Sequence, residues 1–267
     1  MRFYIWDLET FKAQFIFGGK FENDDKIYQF EISRRKNERD ALLQHISWLQ
    51  NSGVIMVGYN SISFDYTILN DLLNAPYTFT ELTAYLKAQE IVQNQAYGFN
   101  FLPMSERKIP QLDLMRIHHF DNKNKRTPLK SLQVAMRSES VEDIPIDFHR
   151  DHLTDEEMDL GLKYNAHDIT ETEKFLGHSK YMIKIRQDLL DQGVITGDVL
   201  NYSDVKIGVE YLIKKIGRAK CYISGSTPRQ TKRDSIVFKD IILPKINFRT
   251  QQFQEVLEWF EKQTVWI

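Results

Sequence analysis

A mixed β-sheet covered by helices is the architecture that this sequence predicts, and three observations carry it. The N-terminal segment holds three successive strand-like runs. Helix-like and strand-like stretches alternate from about residue 38 onwards. A capped helical segment then opens at Thr154. Strands first, followed by alternating helix and strand, describe an α/β domain with its sheet between helices.

Taken in order, residues 3–6, 14–17 and 26–30 read as antiparallel strands, with Gly18-Gly19 near the first turn. Leu42, Leu43, Ile46 and Leu49 recur at helical spacing, which predicts a helix over 38–52 stopped by Gly53. A strand over 54–59 and a helix over 65–73 follow. Residues 75–108 are rich in Tyr, Phe, Gln and Asn and are expected to form an insertion. Pro110-Gln111-Leu112-Asp113-Leu114 reads as a further strand. Thr154-x-x-Glu157 is a capping box, opening the helix that bears Tyr164 and Asp168. One domain is expected over 1–185, with a small C-terminal α/β extension over 186–267. In the extension a helix over 203–216 is capped by Ser203 and ended by Gly217. A basic loop over 224–235 and a strand over 236–243 come next. The last helix places Phe253, Val256, Leu257 and Phe260 on one face, before the apolar end Val265-Trp266-Ile267.

The 267 residues are 42% hydrophobic and 27% charged, an ordinary globular composition. A formal net charge of -2 argues against neutralising a long duplex, but not against holding a few nucleotides at one end. The single cysteine, Cys221, excludes an intrachain disulfide and fits a reducing cytoplasm. Acids at Asp7 and Glu9 argue against a signal peptide at the start, and no apolar run approaches membrane-spanning length. A cytoplasmic protein without a membrane partner is expected.

The acidic residues narrow the chemistry. Asp7-Leu8-Glu9-Thr10 ends an apolar strand, and carboxylates at i and i+2 point to one side of it. Gly58-Tyr59-Asn60-Ser61-Ile62-Ser63-Phe64-Asp65 follows a second apolar strand. Tyr164 and Asp168 share a helix face at i, i+4. Four acids and a phenol from three segments offer the oxygen ligands that a hard divalent cation prefers.

These D-x-E, N-x-x-x-F-D and Y-x-x-x-D motifs, in this order, resemble the tyrosine variant of the DEDD (DnaQ-like) 3′–5′ exonucleases. That group includes the proofreading domains of family A and family B DNA polymerases. The resemblance covers roughly residues 1–185 and implies a ribonuclease H-like exonuclease fold. It implies two divalent cations, Mg2+ or Mn2+, held by Asp7, Glu9, Asp65 and Asp168. Asp7 would bridge both, Glu9 and Asp168 would help hold the one that activates water, and Asp65 would act through the other's water shell. Tyr164 would orient the attacking water. His167 does not match the histidine variant, whose histidine lies five residues before the last acid, where Lys163 stands here.

Pro110-Gln111-Leu112-Asp113-Leu114 and the S/T-L-like Leu129-Lys130-Ser131-Leu132 lean towards the family B and phage-type enzymes, as does Ile146-Asp147-Phe148-His149. In protein-primed members a lysine that assists catalysis lies just upstream of the last of these. Here that place is taken by Asp143 and its neighbours. The implied substrate is the 3′ end of single-stranded or mispaired DNA, the implied partner a DNA polymerase module or subunit, and the implied place the host cytoplasm if a phage encodes the chain.

Leu8 and Thr10 would flank the terminal nucleotide, wedging against its base and bonding its 3′ hydroxyl. Asn60 is either a nucleotide contact or a turn residue, Phe64 either a stacking face or core, and Ser131 either a DNA contact or a helix start. Lys123, Lys125, Arg126 and Lys130 read as a solvated loop before a phosphate track.

Three other readings stand beside this one. An exoribonuclease would share the fold. A phosphatase with a D-x-D-x-T motif would need a different second acid. A docking module in a replication complex would have no use for four clustered carboxylates. No D-x-x-S-L-Y-P, K-x-x-x-N-S-x-Y-G or Y-x-D-T-D run occurs, so polymerase elements are expected on a partner or further along a longer chain.

Overall fold

Five strands form a mixed sheet in the order β3-β2-β1-β4-β5. The structure is a computed structural model and describes residues 1–94, 102–118, 127–144, 146–230, 232–242 and 246–267. Lys123, Lys125 and Arg126 of the expected basic loop lie outside the described residues, as does Leu243.

The central strand β1 (Phe3–Phe11) pairs antiparallel with β2 (Gln14–Phe21), which pairs antiparallel with β3 (Tyr28–Ser33). On its other edge β1 runs parallel to β4 (Ile55–Gly58), and β4 runs parallel to β5 (Gln111–Asp113). β2 therefore runs against the other four. Both faces of β1 are buried, because its alternate side chains enter different cores. Tyr4, Trp6 and Leu8 pack with Phe15 and Phe17 against α1 (Arg39–Asn51), α2 (Asp65–Asn74) and α3 (Glu81–Asn94). Phe3 and Ile5 pack with Val57 and Leu112 on the opposite face, which is covered by the helices that follow β5.

These are α4 (Leu114–His118), α5 (Leu129–Met136) and α6 (Asp155–Asp191). α6 starts at the expected capping box: Glu157 N donates to Thr154 Oγ1, and Thr154 N donates to the Glu157 carboxylate. Its 37 residues make a rod about 55 Å long, far longer than an average helix. Met158, Gly161, Asn165, Ile169, Thr172, Leu176, Ser179, Ile183 and Arg186 repeat every three or four residues along its buried stripe. Near its end, the buried Arg186 guanidinium donates to Tyr202 O and Met182 O and pairs with Asp204.

Several expectations change. Residues 75–108 are not simply an insertion, since α3 places Ala84, Ala88 and Ile91 in the core under β1 and β2. The strand expected over 236–243 is instead a short strand, β8 (Ser235–Val237), followed by a helical turn, α9 (Phe238–Ile241). Three residues suffice for β8 because it needs to match only β9 (Thr264–Trp266).

The chain separates into two compact units, Met1–Tyr211 and Leu212–Ile267, and residue 185 falls inside α6. α7 (Asp204–Ile216) begins after Ser203, whose Oγ accepts from Lys206 N as a cap. The second unit holds the last turn of α7, then α8 (Arg218–Cys221), the β6 (Tyr222–Ser224) and β7 (Thr227–Pro228) hairpin, and α10 (Gln251–Glu261). Among the described residues no helix is long and apolar enough to cross a membrane.

Candidate active site

β1 outlasts its parallel neighbour. The β1–β4 ladder ends at Ile5 opposite Val57, so Asp7 to Phe11 run on past the C-terminal end of β4. In open α/β sheets this is where ligands bind, at the carboxyl ends of strands and where the chain order reverses. β1 is that reversal point, with β2 on one side and β4 on the other.

Asp7 and Glu9 continue the Phe3–Ile5 face and look towards α6, while Leu8 is committed to the opposite core. Across from them α6 presents Tyr164 and Asp168. Carboxylate oxygens of Asp7, Glu9 and Asp168 all come within 4.8 Å of one another. The Tyr164 phenol, one helical turn before Asp168, favours the ionised form of that carboxylate. Asp65, the first residue of α2, is buried and lies outside that tight group, although its charge is felt by both Asp7 and Glu9. The backbone N–H of Leu8 favours the ionised form of the Asp65 carboxylate against the effect of burial.

Without compensating cations the group resists ionisation. Burial, then Asp65, Glu9 and Asp168, hold Asp7 well above the usual carboxylate range. Burial, Asp168 and Asp65 do the same to Glu9, with Lys130 opposing. Burial pushes Asp65 up to about 8 and Asp168 to about 6. Burial and the surrounding acids also drive the Tyr164 phenol upwards, so it stays protonated at neutral pH. A set of oxygen donors that cannot all ionise together fits a hard divalent cation, which removes the conflict.

Three side chains to which the sequence motifs assign no role support this arrangement. Asn165, fully buried, donates Nδ2 to Asp7 O at 3.3 Å and to Asp7 Oδ2 at 3.4 Å. Its Oδ1 accepts from Gln29 Nε2 at 3.1 Å. Such close seating of α6 requires Gly18, the cross-strand partner of Asp7: a Cβ there would stand 1.9 Å from Asn165 Oδ1. Gln133 on α5 is also fully buried and reaches Asp168 Oδ1 at 3.4 Å. Asp113, at the end of β5, accepts from the backbone N–H groups of Asn60 at 2.9 Å, Ile62 at 3.1 Å and Met115 at 3.0 Å. It thereby fixes the loop between β4 and Asp65. Asn165 and Gln133 escaped the sequence reading because their partners lie on other elements.

The residues expected to touch nucleic acid are less uniform. Leu8 is core and Thr10 is nearly buried. Asn60 is half-buried and sits at φ 60°, the left-handed turn conformation that asparagine tolerates. Phe64 is half-buried and packs against the first core, and Ser131 is exposed on the first turn of α5.

No protein-family model and no curated protein matches the chain. Among solved structures it is similar to the family B DNA polymerase from the hyperthermophilic archaeon Pyrobaculum calidifontis, at 17% identity and a TM-score of 0.49. That likeness covers 80% of this chain and 29% of the polymerase chain.

Proposed function

We propose that the chain is a metal-dependent 3′–5′ exonuclease of the DnaQ-like class, built on a ribonuclease H-like fold. It would trim single-stranded or mispaired DNA ends in the service of a DNA polymerase. The observation that carries this reading is the meeting of Asp7, Glu9 and Asp168 oxygens within 4.8 Å at the end of the central strand. The sheet order β3-β2-β1-β4-β5 with β2 reversed supports the fold.

Two divalent cations, when bound, would activate the attacking water and neutralise charge on the leaving oxygen. The chain's own residues do the positioning. Asp7, Glu9 and Asp168 supply anionic oxygens, and Asp65 serves the side of the site nearer the β4–α2 loop. Asn165 fixes the rotamer of Asp7, so that oxygen does not have to be ordered at the moment of reaction. Tyr164, kept protonated by its surroundings, donates a hydrogen bond and orients water; it is not a proton acceptor at neutral pH. Thr10, Asn60, Phe64 and Ser131 would meet the last nucleotides.

The test uses 5′-labelled DNA oligomers with free and blocked 3′ ends, a closed circle, and matched RNA. Magnesium should support stepwise shortening from the free 3′ end, fastest at unpaired termini, because freeing a paired end costs a few kcal/mol. Asp7→Ala should remove cleavage, and Tyr164→Phe should slow it by about ten- to a hundredfold, as for other orienting hydrogen bonds at metal sites. Equal cutting of blocked, free and circular DNA would mark an endonuclease. Faster digestion of RNA would make the enzyme an exoribonuclease.

A further inference from the structure

Lys130, read from the sequence as part of a solvated basic loop, stands beside the acids and acts on Glu9 and Asp168. It occupies the first turn of α5, one turn before Gln133, the residue that reaches Asp168. Its ammonium lies 5.8 Å from the centre of the Tyr164 ring and lowers the proton affinity of both Glu9 and Asp168. Its hydrogen-bonded partner, however, is Asp143, on the segment that leads from α5 to α6. That segment is tied at two further points. Ser138 Oγ donates to the buried Glu171, and the Glu142 carboxylate lies 4.0 Å from His167 Nδ1.

We propose that Lys130 is a phosphate-binding residue of this site, which exchanges Asp143 for a backbone phosphate of the bound single strand. The proposal rests on the nuclease reading and names the group that receives the strand's charge. Four carboxylates are balanced by two divalent cations, but a phosphodiester then brings one more negative charge, which neither set offsets. Lys130 is placed to take it.

The exchange is easy because the resting pair is weak. The Asp143 side chain is 87% exposed and that of Lys130 38% exposed, so water screens their attraction. Asp143 thus keeps the lysine extended towards the site without holding it firmly. When the strand leaves, the ammonium returns to its carboxylate rather than collapsing onto Glu9 and Asp168.

Binding without turnover tests this. Anisotropy of a 5′-fluorescein single-stranded DNA with a free 3′ end is measured against the full chain, with calcium replacing magnesium, over a series of salt concentrations. Lys130→Ala should weaken binding about tenfold and flatten the slope of log K against log salt by about 0.7, the loss of one phosphate contact on a single strand. Lys130→Arg should retain the slope. Asp143→Ala should tighten binding by about threefold in the wild-type background and leave it unchanged beside Lys130→Ala, since the two residues act through one pair. An unchanged slope in Lys130→Ala, or the same Asp143→Ala effect in both backgrounds, would overturn the proposal. Wild-type protein that cleaves DNA while Lys130→Ala keeps its slope removes only this inference. Wild-type protein that neither binds nor cleaves DNA removes the nuclease reading with it.

Discussion

At the scale of single residues, the carboxylates make stability depend on pH in an unusual sense. Asp65 and Asp168 are raised to about 8 and about 6, and Asp7 and Glu9 are also raised. The folded chain therefore binds protons that the unfolded chain releases near pH 4, the ordinary carboxylate value. Their contribution is complete below that pH and is lost as pH rises through about 6 and then about 8. His45 acts oppositely. Burial lowers it from 6.5 to about 4, so its contribution grows with pH across that interval. Above pH 6.5 the acids alone remain. The melting temperature of chelated protein should fall between pH 6.5 and 8, and manganese should raise it more at pH 8 than at pH 6.5. Thermal melts with and without metal check this; a flat profile with no response to metal would remove the carboxylate cluster as a cation site.

At the scale of elements, the contact of α6 with β2 sets the geometry of the site. Gly18→Ala puts a methyl group where Asn165 Oδ1 and Ile169 Cδ1 now stand, 1.9 and 2.7 Å from the new carbon. Because α6 must lift or Asn165 must turn, about 1–3 kcal/mol of stability should be lost, as for other overpacked cores. Cleavage should fall further than stability explains, since Asp7 loses its anchor; parallel denaturant titration and digestion assays separate the two. The elements themselves were unevenly legible. β1, α1 and the capped start of α6 carry strong periodicity or caps, and their acids fall at strand ends and on one helix face. α3 was hidden because Gln89, Gln93 and Asn94 dilute its apolar stripe and only Ala84, Tyr85, Ala88 and Ile91 are buried. The turn of β8 into α9 left no sign in the pattern, since a short apolar stretch such as Ile236-Val237-Phe238 fits a strand or a helical turn equally well. Asn165, Gln133 and Lys130 gain their meaning only through partners 158, 35 and 13 residues away. No local pattern encodes such distances.

At the scale of the whole chain, the sequence resemblance runs out near residue 185, but the first compact unit continues to Tyr211. The reason is visible at the free edge of β5. Asn201, fully buried, accepts from Asp113 N at 2.8 Å and donates to Gln111 O at 2.8 Å, so its side-chain amide stands in for a sixth strand. Asp113 in turn holds the backbone of Asn60 and Ile62. A chain cut at residue 185 would thus lose more than a tail. Arg186 and Asn201 would go, β5 would keep an unmet N–H and C=O at its edge, and the β4–α2 loop would lose its footing. Limited proteolysis should accordingly leave a resistant fragment ending near Tyr211. A recombinant 1–185 piece should aggregate or melt far below a 1–211 piece in a thermal shift comparison. The smallest part of this sequence able to fold alone is therefore set by an asparagine outside the acidic cluster: its amide fastens the edge of β5 and, through Asp113, steadies the loop that leads to Asp65.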